Sequence, residues 1–299
     1  MCGTITPERE ARRVSLWRAA FRVAPTRLFS TTVGLLSRTP IPIGARERFL
    51  RAYAVWTGIN LEEAELPLSE YRTLDELFTR RLKPGLRPID DDPATAVSPV
   101  DAEVLEFGSI GQASVLDVKG QCLSVAGLLA DGARAERYLG GRYVTLYLSP
   151  KDYHRIHAPV SGHVVECRHI PGELMPVNPA LGADRECWCK NERLITFIEG
   201  HFGEVAVVKV AACGVGHVTA TYDPTIHTHA WQPMGRRIYD PPHEVSKGDE
   251  IGVFHLGSTV VVLFQPGSLE LLPLTVGQRI LMGQAIARRV DRASQGPTN

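Results

Sequence analysis

Residues 256–259 read Leu-Gly-Ser-Thr, in an apolar run 40 residues from the C-terminus. A Gly-Ser bond is one of the few peptide bonds a chain can break by itself. The Ser258 hydroxyl can attack the Gly257 carbonyl, which no side chain shields. The resulting ester opens by β-elimination, and the new N-terminal residue loses ammonia to become a pyruvoyl group. A chain that does this makes its own carbonyl cofactor. The competing reading is local: Gly257-Ser258 as a bulge or bend in a buried strand.

Three further residues could serve such chemistry. His154 and His157 lie in Asp152-Tyr-His-Arg-Ile-His-Ala-Pro159, directly after a strand-like run ending at Leu148. Two histidines just past a strand edge are placed to point into one pocket. Imidazole changes charge near neutral pH and suits proton transfer. A satisfied structural pair, or a metal pair with no obvious third ligand nearby, stays open. Asp101 lies between Val100 and Ala102, and an ionised carboxylate in that apolar setting needs a partner. A histidine ring N–H is the natural one, which gives Ser–His–Asp logic for self-processing. The sequence supplies one residue of each type; whether Asp101, His157 and Ser258 converge depends on the fold.

The elements that must position them are strands. From Val97 onward, short apolar runs are punctuated by Gly and Pro; Tyr143–Leu148, Val205–Val210 and Thr259–Phe264 are examples. Their spacing suggests a β-rich sandwich or barrel. Ser98-Pro-Val-Asp-Ala-Glu-Val-Leu-Glu106 echoes Ala158-Pro-Val-Ser-Gly-His-Val-Val-Glu166 at an offset of 60, and Val245–Gly252 echoes Leu274–Ile280. The repeats suggest a duplicated β-motif like the hybrid sandwiches that carry lipoyl and biotinyl groups. The expected fold is therefore α+β: N-terminal amphipathic helices, then a β-rich sandwich or barrel with a duplicated lipoyl-like hybrid motif. The expected division is 1–69 for a membrane-associating helical region and 70–299 for the catalytic domain.

At the boundary, Thr73 followed by Glu76 is a capping box that predicts a helix ending near Lys83-Pro84-Gly85, with Arg87-Pro-Ile-Asp90 as a linker. Before it, residues 12–51 hold nine arginines and one acid, a local charge of 9 − 1 = +8. Trp17, Phe21, Leu28, Phe29, Leu35, Leu36 and Phe49 are interleaved with them. Trp17–Phe21 and Arg18–Arg22 fall at i, i+4, the pattern of helices lying in an anionic membrane interface. An organellar transit peptide, or the solvated faces of core helices, are the alternatives.

Composition bounds the rest. The 299 residues are 44% hydrophobic and 22% charged with zero net charge, enough for one large or two small domains and with no global field toward nucleic acid. Six cysteines without small-scaffold spacing read as reduced thiols. Cys187-Trp-Cys189 is a poor zinc site, and no run of 18 apolar residues predicts a transmembrane helix. His227-Thr-His229 with Asp223 reads as a loop facing solvent or headgroups rather than a metal site. His255 reads as a strand residue turned away from the chemistry.

The chain resembles the phosphatidylserine decarboxylases. The likeness rests on Tyr71–Phe78, Pro99-Val-Asp101, Tyr147-Leu-Ser-Pro-Lys-Asp-Tyr-His-Arg-Ile-His157, Pro171–Asn178, Asn191-Glu-Arg193 and Phe254–Val260, in family order. The resemblance implies a carboxy-lyase of phospholipid synthesis that matures from a zymogen. Cleavage would fall between Gly257 and Ser258, giving a β chain 1–257 and an α chain 258–299, with Ser258 converted to a pyruvoyl cofactor. It implies His157 as general base for cleavage, Asp101 as its orienting carboxylate and His154 as the acid of the decarboxylation. Phosphatidylserine would form a Schiff base with the pyruvoyl carbonyl, lose CO2, take up a proton and leave as phosphatidylethanolamine, with no pyridoxal phosphate and no metal.

Two positions depart from the family pattern. Ala102 stands where a Gly is common, and Pro176 where some members have Ser; Asn178 or backbone N–H groups would then take over a substrate contact. The resemblance further implies phosphatidylserine in an anionic membrane as partner, a homodimer of αβ units, and a place on the cytoplasmic face of a bacterial inner membrane. A pyruvoyl enzyme acting on a soluble amino acid, and an uncleaved lipoyl-like scaffold, are the competing functions.

Overall fold

The computed structural model describes residues 26–111, 115–118, 121–177, 187–213, 217–228, 234–255, 258–267 and 269–289. It begins with two helices, α1 (Thr26–Arg38) and α2 (Ile43–Thr57). Pro40 and Pro42 occupy the break between them; proline cannot continue α1, but its fixed φ suits the entry to α2. Gly58 ends α2 at φ 82°, a left-handed position that glycine takes without steric cost, and its N–H caps the Ala54 carbonyl at 2.8 Å. Leu50 packs with Ala64, Tyr71 and Leu77 in a small core. The outward faces keep Phe29, Leu35, Leu36, Ile43, Val55 and Trp56 exposed. Trp17, Phe21 and Arg12 to Arg22 lie outside the described residues. Among the described residues no helix is long and apolar enough to cross a membrane.

The Thr73 cap forms: its hydroxyl accepts from the Glu76 N–H at 3.1 Å, while the Glu76 carboxylate reaches past the Thr73 N–H of a full capping box to accept from the Arg72 N–H. The helix it opens, α3 (Leu74–Phe78), is nevertheless only five residues long and stops well before Lys83. Tertiary bonds capture the chain first. The Arg155 guanidinium takes the Thr79 carbonyl at 2.9 Å, and residues 81–83 pair back on 63–65.

The strands are β1 (Thr95–Val97), β2 (Ala102–Gly111), β3 (Val115–Val118), β4 (Gln121–Ser124), β5 (Arg142–Leu148), β6 (Arg155–His157), β7 (Gly162–Ile170), β8 (Arg193–Gly200), β9 (Gly203–Val210), β10 (Val218–Thr219), β11 (Gly235–Val245), β12 (Glu250–Phe254), β13 (Ser258–Phe264), β14 (Leu269–Leu271), β15 (Arg279–Ile280) and β16 (Ala285–Arg289). Short helices follow β4 (α4, Val125–Leu129, and α5, Gly132–Glu136) and precede β8 (α6, Cys187–Lys190). The architecture is thus mostly β-sheet with a helical N-terminal part. One large antiparallel sheet runs β11-β7-β8-β9-β13-β5-β2-β3-β4, with β15 also on β2. Two small sheets, β1-β16-β14 and β10-β12-β6, accompany it.

β13 lies between β5 and β9. Its residues alternate between two cores: Val260, Val262 and Phe264 enter one, Val261 and Leu263 the other. Burial on both faces is why this strand reads as an unbroken apolar run.

The sequence echo has a structural counterpart. β2 and β7 are each interrupted at equivalent steps, Val104/Glu106 and Val164/Glu166. The two copies also exchange hydrogen bonds reciprocally: Val97 N–H to the Pro159 carbonyl at 2.9 Å, and His157 N–H to the Pro99 carbonyl at 2.8 Å. The second echo is matched differently from the sequence reading. Ser98 exchanges bonds with Gly283 and Gln284, as Ala158 does with Gly248 and Asp249, so residues 246–252 correspond to 281–287 rather than to 274–280. Gly248 and Gly283 share a left-handed backbone (φ 90° and 88°), and a Cβ on either would meet Ile89 at 2.9 Å. Ile89 is wedged between the two turns.

Candidate active site

Ser258 opens β13 with its backbone opposite Leu148, the last residue of β5. Leu256 and Gly257 lie outside the described residues. Beyond Leu148 the chain turns tightly. The Asp152 carboxylate accepts from the Ser149 N–H at 2.7 Å and its hydroxyl at 2.8 Å, while its other oxygen pairs with Arg279 at 2.6 Å. The turn delivers His154 to the interior, where it is fully buried. Its ring lies 3.9 Å from that of Phe78 at the end of α3. Its carbonyl accepts from the Phe254 N–H at 3.0 Å, four residues before Ser258.

The two histidines have the same ring polarity. His154 Nδ1 is 2.9 Å from the Asp152 carbonyl, and His157 Nδ1 is 2.7 Å from the Gly248 carbonyl. A carbonyl only accepts, so each Nδ1 carries the proton and each Nε2 presents a lone pair. His157 Nε2 is 3.2 Å from the Tyr153 hydroxyl, with the two rings stacked 5.6 Å apart. His154 Nε2 is buried with no protein partner. Burial pushes the His154 pKa down to about 3, against the pull of the Asp152 carbonyl. Burial also lowers His157, opposed by the Gly248 carbonyl and by the negative charges of Glu250 and Asp101. Both rings are therefore neutral near pH 7, each with an Nε2 lone pair.

Asp101 is 1% exposed, as expected of a carboxylate that needs a partner, but that partner is not His157. Arg87 grips it, Nε to Oδ1 at 2.9 Å and Nη2 to Oδ2 at 2.6 Å, and the Met282 N–H adds a third bond at 2.9 Å. The planar guanidinium fork matches a carboxylate better than a single ring N–H does. Burial works against the Arg87 cation, yet its bonds to Asp101 and Glu63 outweigh burial and raise its pKa. Asp101 and His157 remain neighbours through the His157–Pro99 backbone bond. The expected ring-to-carboxylate hydrogen bond is replaced by the Gly248 carbonyl on one side and Arg87 on the other. Ala102 is buried and pairs with Ile280, so its methyl is accommodated within β2 and β15. Asn178 lies outside the described residues.

His255 is not a bystander. Its Nδ1 is 2.8 Å from the Asp75 carboxylate of α3, and its ring packs 4.7 Å from that of His217. This pair ties α3 to the segment just before Ser258. Asp223 is engaged by Arg237 at 2.8 Å and the Tyr239 hydroxyl at 3.0 Å. His227 is exposed, as expected of a loop residue, while Thr228 between the two histidines is fully buried; His229 lies outside the described residues. Among the described residues no three His, Cys, Asp or Glu side chains are grouped to hold a metal. Sequence reasoning missed Phe78, Arg80, Arg87, Tyr153 and Gly248. Arg87 sits in a stretch that reads as linker; Tyr153 meets His157 from four residues away, and Phe78, Arg80 and Gly248 make contacts across long stretches of sequence.

Known proteins of one family resemble this chain along most of its length. The phosphatidylserine decarboxylase family profile matches residues 74–288. A phosphatidylserine decarboxylase proenzyme of Anaeromyxobacter sp. (strain K) is 44% identical over 275 residues, covering 91% of this chain and 97% of that one. Proenzymes of the same name from Myxococcus xanthus (strain DK1622) and Brevibacillus brevis (strain 47) are 42% and 41% identical. They cover 82% and 89% of this chain and 88% and 95% of their own. The chain belongs to the phosphatidylserine decarboxylase family.

Proposed function

We propose that the chain is a proenzyme that cuts itself between Gly257 and Ser258 and then converts phosphatidylserine to phosphatidylethanolamine and CO2. One observation carries the site assignment. Ser258 begins a central strand opposite the end of β5, and β5 leads directly into two neutral imidazoles with free or exchangeable Nε2 atoms. The local fit to a pyruvoyl terminus is good: β13 is paired along both edges, so a cut before Ser258 leaves the new end in register.

For cleavage, His157 removes the Ser258 hydroxyl proton through Nε2, displacing the weak Tyr153 contact. The Gly248 carbonyl orients the ring. Asp101 contributes its negative charge, held in place by Arg87 and Met282, and makes the imidazolium easier to form. The pyruvoyl group, once formed, supplies a carbonyl electrophile and an electron sink for the charge left behind by CO2. His154 supplies the proton that replaces CO2 at the α-carbon. Its lowered pKa leaves it neutral at rest, so it must first take a proton, and a bound anionic headgroup favours that step. Phe78 holds the ring against rotation.

The exposed apolar residues of α1 and α2, with Arg46, Arg48 and Arg51 among them, support docking on an anionic membrane. We place the enzyme on the cytoplasmic face of a bacterial inner membrane, as a homodimer of αβ units, with residues 1–69 as the docking region and 70–299 as the catalytic domain. The reciprocal bonds of the echo support a duplicated, lipoyl-like core. The test is a denaturing gel of wild type and Ser258→Ala. Wild type should give bands of roughly 28 and 5 kDa, from ordinary residue masses. Ser258→Ala should give one full-length band without decarboxylase activity, and a cut Ser258→Ala chain would remove the serine from the mechanism.

A further inference from the structure

Arg80 follows α3 into the interior and is 3% exposed. Of its guanidinium, only Nη2 is engaged, on the Lys151 carbonyl at 2.9 Å. Nε and Nη1 are buried with no protein partner. Among the described residues no carboxylate lies within ion-pairing distance of it, whereas the neighbouring Arg81, Arg87 and Arg155 all have one. A buried cation without a counter-ion is strongly disfavoured. Burial accordingly depresses its pKa, only partly countered by Tyr71, Glu63, Asp101 and Asp152.

Two other buried polar atoms are in the same condition nearby. The Tyr71 hydroxyl proton finds no acceptor, and His154 Nε2 has no protein partner. Tyr71 lies close enough to Arg80 for the two to interact, and Phe78, two residues before Arg80, packs its ring 3.9 Å from that of His154. Holding the Lys151 carbonyl does not require a guanidinium, so a structural tie accounts for one nitrogen and leaves two unexplained.

We propose that Arg80 and Tyr71, beside His154, form the receptor for the phosphodiester of the serine phospholipid, an assignment that rests on the decarboxylase reading above. The substrate offers two anions, a carboxylate and a phosphodiester. A cation bound to the carboxylate stabilises the charge that disappears as CO2 leaves, and so opposes the reaction. The phosphodiester keeps its charge throughout, and binding it lowers the energy of ground and transition states alike. Three bonds separate phosphorus from the α-carbon, so a phosphate on Arg80 puts the α-carbon beside His154. The same anion favours the protonated form of His154 that the reaction consumes.

The experiment uses purified wild type, Arg80→Met, Arg80→Lys and Tyr71→Phe, assayed on soluble short-chain phosphatidylserine. Arg80→Met should still give the two-band pattern, with KM raised 10- to 100-fold and kcat changed less than threefold. Arg80→Lys should recover part of the affinity. Glycerophosphoserine should inhibit wild type and stabilise it against heat, and should do neither in Arg80→Met; free serine should do neither in any form. Inhibition by inorganic phosphate would show that the site takes free phosphate, and its absence that the site needs the diester; the assignment holds either way. A KM within twofold of wild type in Arg80→Met, or unchanged glycerophosphoserine inhibition, overturns it.

If Arg80→Met does not fold, Tyr71→Phe decides. It removes one oxygen whose proton has no acceptor, and should raise KM at least threefold; an unchanged KM overturns the proposal. In a wild-type chain that neither cut itself nor released CO2, the activity reading would fail. Heat stabilisation by glycerophosphoserine would still report on the anion site.

Discussion

A carbonyl oxygen can fix the tautomer of a histidine as well as a carboxylate can, but it cannot neutralise an imidazolium. That difference separates the work of Gly248 and Asp101 around His157. The backbone carbonyl orients the ring, and the buried carboxylate, anchored by Arg87, adds a negative charge whose pull on His157 is smaller than that of Glu250. At this scale the sequence singled out Asp101 and His157 as partners, and the fold gives each a different one. Asp101 needed a buried cation or donor, and Arg87, only 14 residues upstream, reached it first with a two-pronged fit. His154 makes the division of labour testable. His154→Ala should yield both chains at the normal rate, because His157 still serves Ser258, yet decarboxylate about 100- to 1,000-fold more slowly for loss of a positioned acid. CO2 release measured beside the gel checks this. Normal CO2 release would reassign the proton donor.

Strands that are covered on both faces announce themselves as apolar runs. Residues 143–148, 205–210 and 259–264 were therefore legible as strands, and they occur as β5, β9 and β13 with ends shifted by two residues or fewer. α3 was legible at its start, where Thr73 and Glu76 cap it, but not at its end. The Thr79 carbonyl bond to Arg155 and the pairing of 81–83 with 63–65 are tertiary and override local propensity. α1 and α2 are the opposite case, with apolar side chains left uncovered. Replacing the exposed Leu35, Leu36 and Ile43 with serine should release the enzyme from vesicles rich in anionic lipid, as read by co-sedimentation. It should leave activity on soluble short-chain substrate largely intact. Unchanged sedimentation would assign membrane binding to another surface.

The sheet order, with strands distant in sequence brought side by side around β13, was not legible at all. Nor was the true partner of the second echo, because Gly248 matches Gly283 in backbone shape rather than in its neighbours' identities. The assembled molecule has a consequence for acid stability. His154, His157 and His217 are all held below the ordinary histidine pKa by burial, His154 at about 3 and His217 at about 4. The unfolded chain takes up these protons first. Stability is therefore full above about pH 6.5 and falls as pH drops toward 4, by about 1.4 kcal/mol per pH unit for each histidine in its window. The urea midpoint should fall between pH 7.5 and pH 5, and less steeply in His154→Gln. A midpoint that rises on acidification would contradict the buried, neutral rings.

A cut before Ser258 divides the polypeptide at the head of a strand gripped on both sides by β5 and β9. The two pieces should therefore co-purify under native conditions and separate only when unfolded. The intact mass of freshly purified, active enzyme tests the whole account most directly. It should resolve a heavy chain ending at Gly257 and a light chain beginning at position 258, the latter lighter by one ammonia than a serine-started chain. A single unbroken mass from a preparation that still releases CO2 from phosphatidylserine would contradict it.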